Sequence, residues 1–348
     1  MLTKQTTPMQ RTRIAPGQWG DWRWQFRNRR RTPGSLGELL GGKIAQANPL
    51  REVLGVYRWA VTPYYLSLFD PHDESDPLRL QCIPDMREIT FCAGGIEDPL
   101  EEEAHSPVRG LIRRYRDRCL VAVTNRCAVY CRHCNRKRLW HREEYALSDL
   151  EIEAIARHIA KTPSIREVIF SGGDPLTLSD ARLERILARL QAVPHVEVLR
   201  IGSRMPVVLP MRITQRLCSM LRRYRPVWFL TQFNHPREIT REAAQACERL
   251  LAAGIPVLNQ SVLLRGVNDD FRTMQDLLHG LERICVKPYY LFQCDPVRGT
   301  DHFRVEIWEG MRMMDKLWKT TSGLCLPRYV ADMPGTKGKV PLQPVTFL

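Results

Sequence analysis

"RCLVAVTNRCAVYCRHCNRKRLW", residues 118–140, joins an apolar run to three cysteines, Cys127, Cys131 and Cys134, and then to Arg136, Lys137 and Arg138. Arg118 to Thr124 is short, rich in valine and followed at once by polar residues, the pattern of a buried strand that ends there. It is the first of six such runs. "EVIF" (167–170), "VEVLRI" (196–201), "VWFLTQ" (227–232), "VLNQSVLL" (257–264) and "KPYYLF" (287–292) follow. After the first interval they recur about every thirty residues, the length of a βαβ unit. The intervening segments, "LSDARLERILARLQAV", "ITREAAQACERLLAAG" and "DFRTMQDLLHGLERI" among them, carry helical apolar spacing. Six βα units in succession predict an α/β fold with a parallel sheet, open or curled into a partial (β/α)6 barrel.

Chemistry in such folds gathers where strands end and loops begin. After the first run comes the cysteine cluster, and after the others "SGGDP", "GSRMP", "FNHP", "RGVNDD" and "QCDPVRGTDHF". Glycine, proline, asparagine and aspartate also make ordinary turns. Six such loops in succession instead predict convergence on one site. Residues 1–117 read differently, with helical pieces around 35–60 and proline-rich stretches, and predict a helical region packed on the barrel.

The 348 residues are 44% hydrophobic, enough for a sizeable core, and no apolar run is long enough to cross a bilayer. "MLTKQTTPMQRTR" is basic and polar with no apolar stretch behind it, so the expectation is a cytoplasmic protein without a secretory signal. The net charge of +14 is spread along the chain, and "WRWQFRNRRR" (22–31) is the basic, aromatic-rich patch. The charge reads chiefly as a solvated basic surface and nucleic acid is not the expected partner; the patch leaves a zinc- or iron–sulfur-containing nucleic-acid-binding protein as the alternative from another class. Eleven cysteines in a long chain without a signal do not read as a disulfide framework. Cys82, Cys92, Cys119, Cys218, Cys247, Cys285, Cys294 and Cys325 are scattered and read as free thiols.

Structural zinc takes four nitrogen or sulfur ligands. His133 is the available fourth, but it lies between Cys131 and Cys134, where a short loop makes joint tetrahedral ligation awkward. Three thiolates suit a [4Fe–4S] cluster whose fourth iron stays open for another ligand.

CxxxCxxC after the first strand resembles the radical S-adenosylmethionine enzymes, and "SGGDP" resembles their glycine-rich motif. Ser171, Gly172, Gly173 and Asp174 are thereby implied to bind S-adenosylmethionine, with glycine permitting close backbone approach. More narrowly, the chain resembles lysine 2,3-aminomutase and its relatives through "WGDWRWQFRNR", "RYRDR", "CAVYCRHCNRKR", "IGSRMPVVLPMRIT", "FNHPREIT", "NQSVLLRGVND", "QCDPVRGTDHFR" and "YVADMPGTKGK". The resemblance implies three divisions: a helical region and cofactor-clamp approach at 1–117, a radical S-adenosylmethionine partial barrel at 118–302, and a C-terminal segment carrying a pyridoxal phosphate lysine at 303–348.

By the same resemblance Cys127, Cys131 and Cys134 hold the cluster, and Arg114, Tyr115 and Arg118 hold the phosphate of pyridoxal 5′-phosphate. Lys339 carries that cofactor, with Lys337 the alternative because Thr336 and Lys337 interrupt the usual glycine run. Arg136 takes the α-carboxylate of an amino-acid substrate, and Asp295 and Asp332 take its distal ammonium. The implied activity moves the α-amino group of L-lysine to C3, giving β-lysine. Arginine 2,3-aminomutase and the enzyme that converts lysine for attachment to elongation factor P are the nearest alternatives. A glutamate enzyme is disfavoured by the two aspartates. An electron donor such as flavodoxin or ferredoxin is implied. Asp270 stands where lysine enzymes carry a cysteine of an intersubunit zinc site, and the sequence stops at Leu348. No zinc is expected, and the oligomeric state, a homo-oligomer among the options, does not carry over.

Overall fold

All six apolar runs form strands, and the sheet they build is larger than six. The computed structural model describes residues 16–40, 48–91, 94–332 and 338–342. The N-terminal run read for a signal, Cys92 and the alternative lysine Lys337 lie outside the described residues. A short β1 (Leu111–Ile112) precedes β2 (Arg118–Thr124), β3 (Glu167–Gly172), β4 (Val198–Gly202), β5 (Val227–Thr231), β6 (Val257–Leu263), β7 (Lys287–Gln293), β8 (Arg328–Asp332) and β9 (Lys339–Pro341). They lie side by side in chain order. From β2 to β8 each pair is parallel, while β1 and β9 run antiparallel along the two edges. Among the described residues the edges do not pair with one another, so the sheet is an open, partial barrel. The unforeseen seventh parallel strand, "RYVAD", matters because it delivers Asp332 to the same strand-end rim as the other loops.

Each parallel strand from β2 to β7 is followed by a helix, and for the first five a side-chain cap fixes its start. Ser148 caps Asp149–Ala160 in a reciprocal capping box with Glu151. Ser179, Thr214, Thr240 and Asp270 accept the N–H three residues on, and so begin the helices Asp180–Gln191, Gln215–Arg222, Arg241–Ala252 and Phe271–Arg283. Asp270 is therefore occupied as a cap. The helices bury one face, Leu183, Ile186, Leu187 and Leu190 in the second case, against the sheet. Ile307–Thr320 follows β7 and leads into β8.

The region before the sheet is helical, as expected, in short pieces such as Trp22–Arg27, Pro33–Leu39 and Pro63–Leu66. Leu36, Trp59, Tyr64, Tyr65 and Phe69 belong to the same apolar core as Val121, Phe170 and Ile201 of the sheet. Residues on either side of position 117 therefore share one core. No described helix is long and apolar enough to cross a membrane.

At the C-terminal rim of the strands buried amides replace apolar packing. Asn259 accepts the Phe233 N–H at 2.7 Å and donates to its carbonyl at 3.1 Å. Asn234 accepts from Val262 N–H, and Asn268 donates to the Asn234 carbonyl. These clamps satisfy backbone groups where the ladder ends. The loops after β5 and β6 are thereby fixed toward the centre of the rim.

Candidate active site

The cysteine loop leaves the end of β2 and closes on itself through Asn125, which donates to Leu139 and Glu143 carbonyls and accepts the Tyr145 N–H at 2.7 Å. Its backbone is held by the region before the sheet: Tyr130 N–H bonds Ala60 O and Arg132 N–H bonds Gln81 O. Arg132 and Lys137 reach into the interior to one fully buried carboxylate, Glu88, at 2.6 and 2.7 Å, and Lys137 also donates to Gly299 O at 2.6 Å. Burial works to raise the pKa of Glu88, but the two cations overcome it and hold it below the usual carboxylate range.

Cys127, Cys131 and Cys134 are free thiols. Cys127 and Cys134 pack beside Tyr57, Tyr130 and Trp140. Burial, and then the neighbouring cysteines and Asp174, push Cys127 well above an ordinary thiol; burial likewise lifts Cys134, to about 11. Two groups of opposite tendency surround the sulfurs. The Arg204 guanidinium donates to Cys131 Sγ at 2.9 Å, and Arg136 N–H to Cys134 Sγ at 3.3 Å. Arg204 is itself buried and fixed by Gln81 Oε1 at 2.5 Å and Glu238 Oε1 at 2.6 Å. The three cysteines are half-buried, with apolar packing on one side and N–H donors facing the sulfurs, an environment that fits thiolate ligands of an iron–sulfur cluster, whose potential such donors tune. Among the described residues no three His, Cys, Asp or Glu side chains gather closely enough to hold one metal ion. A cubane spreads its thiolates over separate irons, so its ligands need not converge on a point as those of a tetrahedral zinc do.

The glycine motif is built against this loop. A side chain on Gly172 would collide with Thr124 O, and one on Gly173 with Arg126 O. Gly172 also has φ +130°, a conformation that disfavours L side chains. Gly173 N–H bonds Thr124 O at 2.6 Å, and Asp174 N–H bonds Arg126 O at 2.7 Å. The Asp174 carboxylate turns inward to Ser203 Oγ and to the backbone of Leu176 and Arg204. Burial raises its pKa to about 6 against those donors. Asp174 thus fastens the ends of β3 and β4 together, while Ser171 and the two glycines form the surface next to the cysteines.

Most of the remaining expected residues meet along the other half of the rim, whereas Arg118 is the first residue of β2 and stands at the opposite end of that strand from the cysteine loop. Asp332, at the end of β8, pairs with Arg114 at 3.2 Å and with Lys339 at 3.1 Å. Lys339 lies directly across the β8–β9 ladder from Asp332, and its ammonium reaches Tyr115 OH at 3.4 Å. Arg118 stacks on the Tyr115 ring at 3.6 Å and pairs with Asp117. Arg114, Tyr115 and Lys339 are thus gathered around Asp332, a nearer association than the separate phosphate and ammonium sites implied by resemblance. Burial, then the neighbouring Asp332 charge, raises Asp295 to about 7 against Asn135, Lys339 and Arg114. Both aspartates line a cavity of about 580 Å³ whose wall also includes Arg265, His302 and Arg304.

Three contributors were not foreseen: Glu88, Arg204 and Glu102. Glu102 takes Arg136 in a two-pronged pair, Nη2 to Oε1 at 2.6 Å and Nε to Oε2 at 3.0 Å, and also accepts from Arg138 at 2.9 Å. Burial opposes ionisation here, but the two arginines bring Glu102 down to about 2. The acidic run "EDPLEEE" (97–103) was the available signal, although spacing does not say which acid meets which base.

The fold, the three-cysteine loop and the glycine motif define a radical S-adenosylmethionine enzyme, and residues 121–278 match the model of the Radical SAM superfamily. A [4Fe–4S] cluster and S-adenosylmethionine come with that membership. The chain is 46% identical over 331 residues to the L-lysine 2,3-aminomutase of Clostridium subterminale, covering 95% of this chain and 80% of that one. It is 42% identical to the glutamate 2,3-aminomutase of Clostridioides difficile (94% and 77% covered) and 36% identical to the L-lysine 2,3-aminomutase of Escherichia coli (88% and 86%). The chain belongs to the lysine 2,3-aminomutase family of isomerases.

Replacing Cys127, Cys131 or Cys134 by Ala should each remove most of the iron bound after anaerobic reconstitution, because three ligands leave none to spare. Cys247→Ala, on the buried face of Arg241–Ala252, should retain it. Iron and sulfide analysis of the four variants makes the comparison, and full iron in any of the first three contradicts the ligand assignment.

Proposed function

We propose that the protein moves the α-amino group of L-lysine to C3, forming β-lysine, with pyridoxal 5′-phosphate as its third cofactor. The observation that supports this reading is the arrangement of charge along the rim. Arg136 lies at the cysteine side, and Asp295 and Asp332 lie together at the cavity side, with Lys339 beside them. An amino acid with a cationic side chain satisfies both ends. When bound, the cluster and S-adenosylmethionine supply one-electron hydrogen abstraction, and pyridoxal phosphate supplies the carbonyl carbon and ring that carry a migrating nitrogen.

The chain's own residues then divide the work. Cys127, Cys131 and Cys134 hold the cluster, and Ser171, Gly172 and Gly173 let S-adenosylmethionine approach the backbone while Asp174 fixes their loop. Arg114, Tyr115 and Arg118 hold the phosphate, and Lys339 carries pyridoxal phosphate. Arg136 grips the α-carboxylate through its fork. Asp295 and Asp332 neutralise the distal cation, which would otherwise be buried at a cost of about 3–5 kcal/mol. The same two carboxylates would repel a glutamate side chain. The reducing electron comes from a small redox protein of the flavodoxin or ferredoxin kind.

Anaerobic incubation with S-adenosylmethionine, pyridoxal phosphate, a reductant and L-lysine, L-arginine or L-glutamate in turn, with mass spectrometry of products, tests the proposal. β-Lysine should be the dominant product. An arginine or glutamate product in its place would overturn the substrate assignment, and full turnover without pyridoxal phosphate would overturn the cofactor.

The raised pKa of Asp295 gives two pH dependences of opposite sign. The folded chain holds its proton more tightly than the unfolded chain does. Its contribution to stability is therefore complete below the ordinary value of 3.8 and is lost as pH rises through about 7. Cation binding requires the ionised form, so the KM for L-lysine should fall as pH rises through about 7. Asp295→Asn should raise KM on the order of a hundredfold and flatten that dependence. Steady-state kinetics across this range decide it; an unchanged KM and pH profile in the variant would remove Asp295 from substrate binding.

A further inference from the structure

A guanidinium offers two pairing edges, a side formed by Nε and one Nη and an end formed by both Nη groups. Glu102 occupies the side edge of Arg136: Oε1 accepts from Nε at 3.0 Å and Nη2 at 2.6 Å, and Oε2 accepts from Nε at 3.0 Å. Nη1 is turned the other way and makes a long 3.4 Å contact to Ser171 Oγ, at the head of the glycine motif. After burial and Glu102, Cys134 and Asp295 are the next charges that bear on Arg136. The end edge is thus left out of the Glu102 pair, with its Nη1 reaching the glycine motif.

Glu102 is equipped to hold that orientation. It is 3% exposed, Arg138 pins its Oε2 at 2.9 Å, and Arg138 is in turn braced by Asp98 at 3.4 Å. The carboxylate thus cannot follow Arg136 if the arginine swings. We propose that Glu102 is the positioning residue for recognition of the substrate α-carboxylate: it locks the Arg136 guanidinium from its side edge, so that the end edge is already aimed when the amino acid arrives. Pre-setting a flexible side chain removes an ordering cost from the binding step. This rests on the reading of Arg136 as the carboxylate-binding group.

The test compares L-lysine with 1,5-diaminopentane, which keeps both amines and lacks the carboxylate, on the anaerobically reconstituted enzyme. Glu102→Gln should raise the KM for L-lysine about tenfold or more with a much smaller change in kcat, while inhibition by 1,5-diaminopentane stays within about twofold. Glu102→Asp, which keeps the charge one methylene further back, should fall between wild type and Glu102→Gln. It also carries the test if the amide variant fails to fold: its KM for L-lysine should rise severalfold with the diamine unaffected. Arg136→Gln, assayed in parallel, separates the two readings. If Arg136→Gln loses L-lysine binding but neither Glu102 variant does, the role of Glu102 is overturned alone. If Arg136→Gln leaves the KM for L-lysine unchanged, the reading of Arg136 falls and that of Glu102 with it. Parallel loss of L-lysine and diamine binding in the Glu102 variants would mean general damage to the site and would equally overturn the proposal.

Discussion

Two carboxylates from the region before the sheet, Glu88 and Glu102, hold the loop that carries the cysteines, and the arrangement of the site depends on them. Glu88 binds Arg132 and Lys137; Glu102 binds Arg136 and Arg138. Four cations within seven residues would repel one another if left unpaired. Buried without partners they would cost several kcal/mol each, and with partners they weld the loop to the region before the sheet. The positive charge beside the thiols therefore has a structural use first. Of the four, Arg136 also reaches Ser171 of the glycine motif.

From that constraint the geometry of the rim follows. The cysteine loop, held from behind, presents its sulfurs beside Arg204 and the glycine motif, whose two glycines let β3 close onto Thr124 and Arg126. On the far side β8 and β9 place Asp332 and Lys339 opposite one another in register. Asp295, after β7, completes a line of charge running from Arg136 to the cavity. Each group reaches the site because it stands at the C-terminal end of a parallel strand or on a segment packed against that end.

The six main strands were legible because apolar runs at βαβ spacing suit few folds besides a parallel sheet, and the cysteine loop because its spacing is a chemical constraint. The seventh strand was not. Arg328 to Asp332 has only three apolar residues between charged ends, and its role comes from pairing with β7, which is a tertiary fact. Partner choice was equally hidden. Glu102 and Arg136 are 34 positions apart, Glu88 and Lys137 are 49, and Arg204 and Cys131 are 73. Local periodicity carries no information at such separations. Sequence reasoning therefore assigned Arg136 a substrate partner and missed the carboxylate that already holds it. It also set Arg114 apart from Asp332, which the fold joins.

The dependence of the cysteine loop on Glu88 can be measured directly by hydrogen–deuterium exchange of residues 127–140 in wild type and Glu88→Gln. The variant leaves Arg132 and Lys137 without a full counter-charge in the interior. The account predicts a clear loss of protection confined to 127–140 and the neighbouring turn at Gly299, with the helix Arg241–Ala252 unchanged and less iron retained per chain. Unchanged protection across 127–140, with full iron, would contradict it.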